Sequence, residues 1–268
     1  VAGRKKEARK EEVKVCGLNA VRALAERRRE DIVRVYLVEP RIPELSALLK
    51  WCAQQKKPYR VVGADEIAKV AESVHHEGVC VVAKAKAVAR FADLLAKVRT
   101  RKGPESILVL DHVRNPHNLG AILRVAAHFG SSAILFPEGG AFPQLTSAIH
   151  RTAEGGAEVV DLVPIDPPVR ALSALKSAGF TIYGTSGRAT QSLYRERMAK
   201  RSVFLLGAEA EGLSDELFAA CDRSIAIPGT GDVESLNVAC ASAVILGEWW
   251  RAHREHMSPP SGRMSPTE

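Results

Sequence analysis

No stretch of this 268-residue chain is apolar for the roughly 20 residues that a membrane-spanning helix needs, so no membrane partner is expected. Cysteine is sparse: Cys16, Cys52, Cys80, Cys221 and Cys240 are odd in number, scattered, and lack any Cys-x-x-Cys or His-paired spacing. That argues against a disulfide framework or a metal site and fits small buried residues in a reducing cytoplasm. The phosphate loop Gly-x-x-x-x-Gly-Lys-Ser/Thr is missing. Gly229-Thr230-Gly231 begins a Gly-x-Gly but reaches Glu234 where a dinucleotide fingerprint needs its third glycine, which argues against an ordinary Rossmann cofactor site. An initiator methionine is lacking too, as expected of a chain trimmed at its start. Residues 1–12 are rich in lysine and glutamate without the apolar stretch of a secretory signal, and read as a flexible charged leader. There is no internal repeat or long low-complexity segment.

What is present is the balance of a globular protein: 46% hydrophobic and 26% charged residues, enough to bury a core. The net charge of +7 favours an anionic partner, since lysines and arginines that meet phosphates release counterions. Lys5-Lys6, Arg9-Lys10 and Arg27-Arg28-Arg29 could hold an RNA backbone; with glutamates beside each, a solvated helix face is the competing reading.

Residues 13–86 alternate strands and helices, the pattern of a small α/β domain. Strands are expected at 32–38, 59–62 and 79–83, with a helix opened by Pro43 and carrying Leu45, Leu48, Leu49 and Cys52. Residues 87–104 read as a linker. A second α/β domain spans 105–255. Its continuous apolar strands, beginning with Ile107-Leu108-Val109-Leu110, alternate with helices, which implies a parallel sheet covered on both faces. The last helix, expected from Ser235 to about Arg251, is apolar on nearly every side and should be buried by the sheet or a second subunit. The tail 256–268 lacks core residues and is expected to be disordered.

Three segments follow predicted strands, where open α/β sheets bind ligands. The first runs from Asn115 to Arg124. Leu119, Ile122, Leu123, Ala126 and Ala127 make the buried stripe of its helix, so Arg124 projects elsewhere; an N-capping Asn and a surface Arg is the alternative. The second, Leu206 to Leu213, has Gly207 and Gly212 to permit a tight loop and Glu209 at a strand end; a plain polar loop is the alternative. The third, Ile227 to Val238, is a glycine-rich loop into the last helix, with Ser235 capping and Asn237 in the first turn. Asn is a poor choice there unless its amide has a partner.

Together these segments resemble the three motifs of the SpoU/TrmH family of RNA 2′-O-methyltransferases in the SPOUT superfamily. The matches are Asn115-x-x-Asn118-x-Gly120-x-Ile122-x-Arg124, Leu206-Gly207-x-Glu209-x-x-Gly212-Leu213, and Ile227-Pro228-x-x-Gly231 followed by Ser235-Leu236-Asn237-Val238. Arg151 to Glu158 resembles the family's stretch between the first two motifs. Val15 to Val21 and His75-His76-Glu77-Gly78-Val79 resemble its small substrate-binding domain. One departure is Gly229-Thr230, which replaces a more usual methionine-containing stretch.

The resemblance implies an α/β fold with a C-terminal trefoil knot, which topology rules alone would reject. It also implies a homodimer through the C-terminal domain, S-adenosylmethionine as cofactor, and tRNA or rRNA rather than DNA as partner. Thr185, Leu206, Gly207, Ile227, Gly231 and Leu236 would bind the cofactor. Arg124 would be the central catalytic residue, with Asn118, Glu209, Ser235 and Asn237 orienting it, the ribose and the methionine end. A guanidinium is too weak an acid to serve as base, so Arg124 is read as a cation that stabilises the developing alkoxide. His117 is the alternative base. A catalytically silent RNA-binding protein and a methyltransferase acting on a base nitrogen are the competing functions.

Overall fold

A computed structural model of the protein describes residues 12–137, 145–187, 189–208 and 211–256. The expected leader (except Glu12) and tail (except His256) lie outside the described residues, as does Glu209. In chain order the elements begin with β1 (Glu12–Cys16), α1 (Leu18–Arg28), β2 (Ile32–Leu37), α2 (Ser46–Gln54), β3 (Tyr59–Val61), α3 (Ala64–Ala71) and β4 (Val79–Lys84). Next come α4 (Phe91–Thr100), β5 (Glu105–Asp111), α5 (Pro116–His128), β6 (Ala133–Pro137), α6 (Ser147–Ala153), α7 (Gly156–Val159) and β7 (Asp161–Ile165). The chain closes with α8 (Pro168–Ser177), β8 (Thr181–Thr185), β9 (Arg201–Gly207), α9 (Asp215–Ala219), β10 (Arg223–Ile225) and α10 (Val238–His253). Two compact units result, each drawn from separated stretches: residues up to Ala89 with 113–128 and 141–162, and residues 90–112 and 129–140 with those from Val163 on.

The first unit holds a sheet of order β1-β4-β2-β3, with β4 antiparallel to β1 and β2, and β3 parallel to β2. Alternation sorts its side chains. Val15, Val35, Leu37, Val79, Val81 and Ala83 pack with Val21 and Leu24 of α1 and Leu48, Leu49 and Cys52 of α2. Cys16, Tyr36 and Cys80 form a smaller cluster with Ile67 and Ala71 of α3. Each such apolar side chain contributes about 1.5–3 kcal/mol on burial. Pro43 opens only a short 3-10 turn, Pro43–Leu45, ahead of α2. At the start of α1, Gly17 has φ 95° and the Glu77 carboxylate accepts the Leu18 N–H at 2.9 Å. Two segments of the family resemblance thereby meet, with Glu77 closing the helix end.

The second sheet has order β10-β8-β9-β5-β6-β7. The pairs β10–β8, β8–β9, β9–β5 and β5–β6 are parallel, as the continuous apolar runs imply. All seven residues of β5 are buried, and β9 is buried from Ser202 to Leu206, which marks both as central strands. α10 buries Val238, Ala239, Ser242, Ile245, Leu246, Trp249 and His253 along one stripe, and Trp249 Nε1 donates to the Ala199 carbonyl at 3.1 Å. Cys240 and Trp250 are exposed.

Candidate functional site

In the second unit the carboxyl ends of β10, β8 and β9 are neighbours, so the loops that follow them start side by side. Thr185 ends β8 opposite Ile225, and its Oγ1 donates to the Leu205 carbonyl at 2.8 Å, tying β8 to β9. Ser186 N donates to the Ile225 carbonyl at 3.1 Å, Ala226 N to Gln191 at 2.9 Å, and Leu193 N to Ala226 at 2.8 Å. These bonds lace the loop after β8 to the one after β10. The two approach again further out, where a Cβ on Gly187 would lie 3.7 Å from the Glu234 carbonyl.

Leu206 is buried and Gly207 ends β9. A Cβ on Gly207 would sit 2.1 Å from the Gly212 carbonyl, so only glycine lets the loop fold back. Gly212 N donates to Ala208 at 2.8 Å and closes it. Beyond β10, Ile227 is half-buried and the chain from Pro228 to Asn237 is exposed. Gly231, at φ 93°, turns this loop with no described residue within 4 Å of a would-be Cβ, and Val233 and Leu236 leave apolar surface in solvent. Six of the expected site residues, Thr185, Leu206, Gly207, Ile227, Gly231 and Leu236, thus lie at one end of one sheet. Open glycine backbone beside exposed apolar side chains suits a flat heteroaromatic group with polar edges. The carboxylates of Asp232 and Glu234 suit a cationic one. The donor set therefore fits S-adenosylmethionine.

The start of the last helix needs a correction. It begins at Val238, not Ser235; Asn237 is its N-cap, with Oδ1 accepting the Ala239 N–H at 2.9 Å, and Ser235 lies in the exposed loop. Asn237 is therefore not inside the first turn, which removes the oddity of an amide in an apolar helix.

Asn118 and Arg124 belong to the first unit, on α5. Asn115 Oδ1 accepts the His117 N–H at 2.9 Å and its carbonyl accepts Leu119 N–H at 3.0 Å, so Asn115 precedes Pro116 as the cap and Asn118 stands half-buried in the first turn. Leu119, Ile122, Leu123 and Ala126 are buried with Gly120, whereas Arg124 is exposed, as the helical phase demands. His117 is exposed.

The basic and histidine-bearing segments are partly structural. Arg28 does not face solvent with Arg27 and Arg29; it forms an ion pair with Glu158. His76 is buried, with Nδ1 accepting the Gly78 N–H at 3.0 Å, so it shapes a turn. Asp111 was not singled out as a site residue. Its carboxylate, 2% exposed, accepts the Ser214 N–H at 2.8 Å and lies 3.1 Å from His112 Nδ1, fixing the exit of the Gly207–Gly212 loop to the end of β5. An acid ending a continuous apolar strand is the signal that could have flagged it.

A parallel sheet with glycine-bearing loops on three neighbouring strand ends defines an α/β ligand-binding protein. Residues 105–247 match the SpoU rRNA Methylase family, and residues 14–89 match the RNA 2′-O ribose methyltransferase substrate binding family. The chain belongs to the SpoU rRNA methylase family. It is 35% identical over 246 residues to the uncharacterized tRNA/rRNA methyltransferase YfiF of Escherichia coli O157:H7, covering 92% of this chain and 70% of YfiF. To the 23S rRNA (guanosine-2′-O-)-methyltransferase RlmB of Pseudomonas putida it is 34% identical over 238 residues, 88% of this chain and 94% of RlmB. The SpoU methyltransferase AviRb of Streptomyces viridochromogenes, solved in complex with AdoMet, matches with a TM-score of 0.73 over 93% of each chain at 21% identity, a likeness of fold.

Proposed function

We propose that this protein transfers the methyl group of S-adenosylmethionine to a ribose 2′-hydroxyl of tRNA or rRNA. Membership of the family supports the reading, and one observation carries it: Arg124 in the Asn-x-x-Asn-x-Gly-x-Ile-x-Arg motif stands exposed while its helix neighbours are buried. RNA binding is assigned to residues 13–86 and transfer to residues 105–255, joined by 87–104. The matched spans 14–89 and 105–247 support that division.

When bound, the cofactor supplies a methyl group on a positively charged sulfur. Thr185, Leu206, Gly207, Ile227, Gly231 and Leu236 hold it through backbone groups and apolar contact. Arg124 stays protonated, binds the phosphate beside the target nucleotide and stabilises the negative charge that grows on the 2′-oxygen. Asn118, Glu209, Ser235 and Asn237 orient Arg124, the ribose and the methionine end of the cofactor, and the 2′-hydroxyl proton leaves to water or phosphate. The protein's task is alignment and charge stabilisation.

The finer parts of the reading are a trefoil knot in the C-terminal domain, a homodimer formed through that domain, and work in the cytoplasm. The dimer is supported by Cys240 and Trp250, which leave apolar surface of α10 exposed in the single chain. Among the described residues no helix is long and apolar enough to cross a membrane.

Incubation with methyl-labelled cofactor and unmodified tRNA or rRNA, followed by digestion to nucleosides, tests the function. A 2′-O-methylnucleoside is expected. A label on a base overturns the ribose assignment, and no label on any RNA overturns the enzymatic reading.

A further inference from the structure

The mechanism leaves unused a set of charged groups buried in the first unit. The Glu158 side chain on α7 is 1% exposed and takes two bonds from Arg28 of α1, Nε to Oε2 at 2.6 Å and Nη2 to Oε1 at 3.0 Å. Arg28 Nη1 donates to the Lys84 carbonyl at the end of β4 at 2.6 Å. Lys86, just beyond β4, donates to the Ala157 and Val160 carbonyls at 3.0 and 2.9 Å, satisfying carbonyls at the C-terminal end of α7 beside Glu158. The substrate-binding segment thus grips a helix of only four residues through two cations, one on its carboxylate and one on its carbonyls.

Packing carries this grip onward. A Cβ on Gly155 would lie 2.8 Å from the Ala23 Cβ and 3.2 Å from the Asn19 carbonyl, both on α1. A Cβ on Gly156 would lie 2.5 Å from the Leu123 carbonyl and 3.1 Å from the Cα of Arg124. Adjacent glycines therefore press one side of α7 on α1 and the other on the backbone that carries Arg124. A fork-to-carboxylate pair fixes distance and orientation together. A buried pair of this kind adds little stability over an apolar pair of the same volume, so its contribution here is geometric.

We propose that Arg28 and Glu158 are positioning residues, which lock the RNA-binding sheet and the Arg124 helix into one body so that a bound RNA meets Arg124 in fixed register. The idea rests on the methyl-transfer reading above. It makes the substrate-binding region part of the catalytic alignment rather than a tethered adaptor.

Two measurements test it on the full chain. Hydrogen exchange by mass spectrometry, without cofactor or RNA, compares wild type with Glu158→Gln. Faster exchange is expected in both 79–86 and 116–128, with 201–207 unchanged; an unchanged 116–128 overturns the coupling. The second measurement uses the double variant Arg28→Met/Glu158→Met, in which an apolar pair restores the thermal midpoint, together with Arg28→Lys, which keeps the charge and loses the fork. On in vitro transcribed 23S rRNA and unmodified tRNA, kcat of both is expected to fall about tenfold or more while RNA affinity by filter binding stays within about twofold. A double variant that keeps the wild-type kcat overturns the proposal. A wild-type chain that labels no RNA sinks the enzymatic reading instead, and the exchange measurement then still decides the coupling.

Discussion

Gly207 and Gly212 meet backbone to backbone: a Cβ at 207 would be 2.1 Å from the Gly212 carbonyl carbon and oxygen. Backbone cannot yield as a side-chain tip can, so Gly207→Ala must pry the loop off the end of β9. A loss of about 1–3 kcal/mol of stability is expected from overpacking, together with a loss of cofactor affinity. Gly229→Ala, with no described residue within 4 Å of its Cβ, should keep the wild-type thermal midpoint. Thermal unfolding and calorimetric titration with S-adenosylmethionine check both; wild-type stability and affinity in Gly207→Ala would refute the backbone contact.

Arg124 is exposed and off the buried stripe, so Arg124→Ala should change stability by less than about 0.5 kcal/mol. Methyl transfer should fall by about 100-fold or more, with cofactor affinity largely intact. Arg124→Lys should not restore the rate, because an ammonium lacks the planar fork. Loss of cofactor binding in Arg124→Ala would contradict the role assigned.

Asn237 caps α10 through Ala239 N–H. Asn237→Ala should cost about 0.5–2 kcal/mol, and Asn237→Asp, another good cap, should recover most of it. If Asn237 also orients substrate through its amide N–H groups, the Asp variant should regain stability but not activity. Full activity in Asn237→Asp would reduce the residue to a cap.

His150 is 1% exposed and 3.8 Å from Glu158, and among the described residues neither ring nitrogen has a hydrogen-bond partner. Burial pushes its pKa down to about 4; Glu158 opposes the shift, and Arg28 and Lys86 add to it. The imidazole is therefore neutral at pH 7, and its approach to Glu158 is not an ion pair. Between the ordinary value of 6.5 and about 4 the unfolded chain holds a proton that the native chain refuses. The stability from this site is complete above the upper value and drains away as pH falls to the lower one, by about 3 kcal/mol. Urea unfolding from pH 7 to pH 4 should show a shallower acid decline in His150→Leu. An identical decline would show that His150 does not titrate on unfolding.

Much of this was legible in one dimension. The continuous apolar run around Ile107–Leu110 announced a strand buried on both faces, and β5 is one. The helical phase of Leu119, Ile122 and Leu123 by itself places Arg124 outside the core, where it stands. Edge strands divided: β3, three residues long, was expected at 59–62, whereas β10, also three residues, and β1, five, escaped. The helix start was placed early, with Asn237 two positions too deep, because sequence spacing does not fix which of Ser235 and Asn237 turns its oxygen to the helix end.

Sequence alone determined the parallel α/β build, the order of the glycine loops and the family, because strand burial, helix phase and backbone freedom are set by neighbouring residues. Tertiary structure alone decided the partners. Arg28 and Glu158 are 130 positions apart and Asp111 and Ser214 are 103 apart. No local pattern encodes such pairs: a charged side chain finds its counterpart only after distant segments have packed, when leaving it unpaired in the interior would cost more than the pair does.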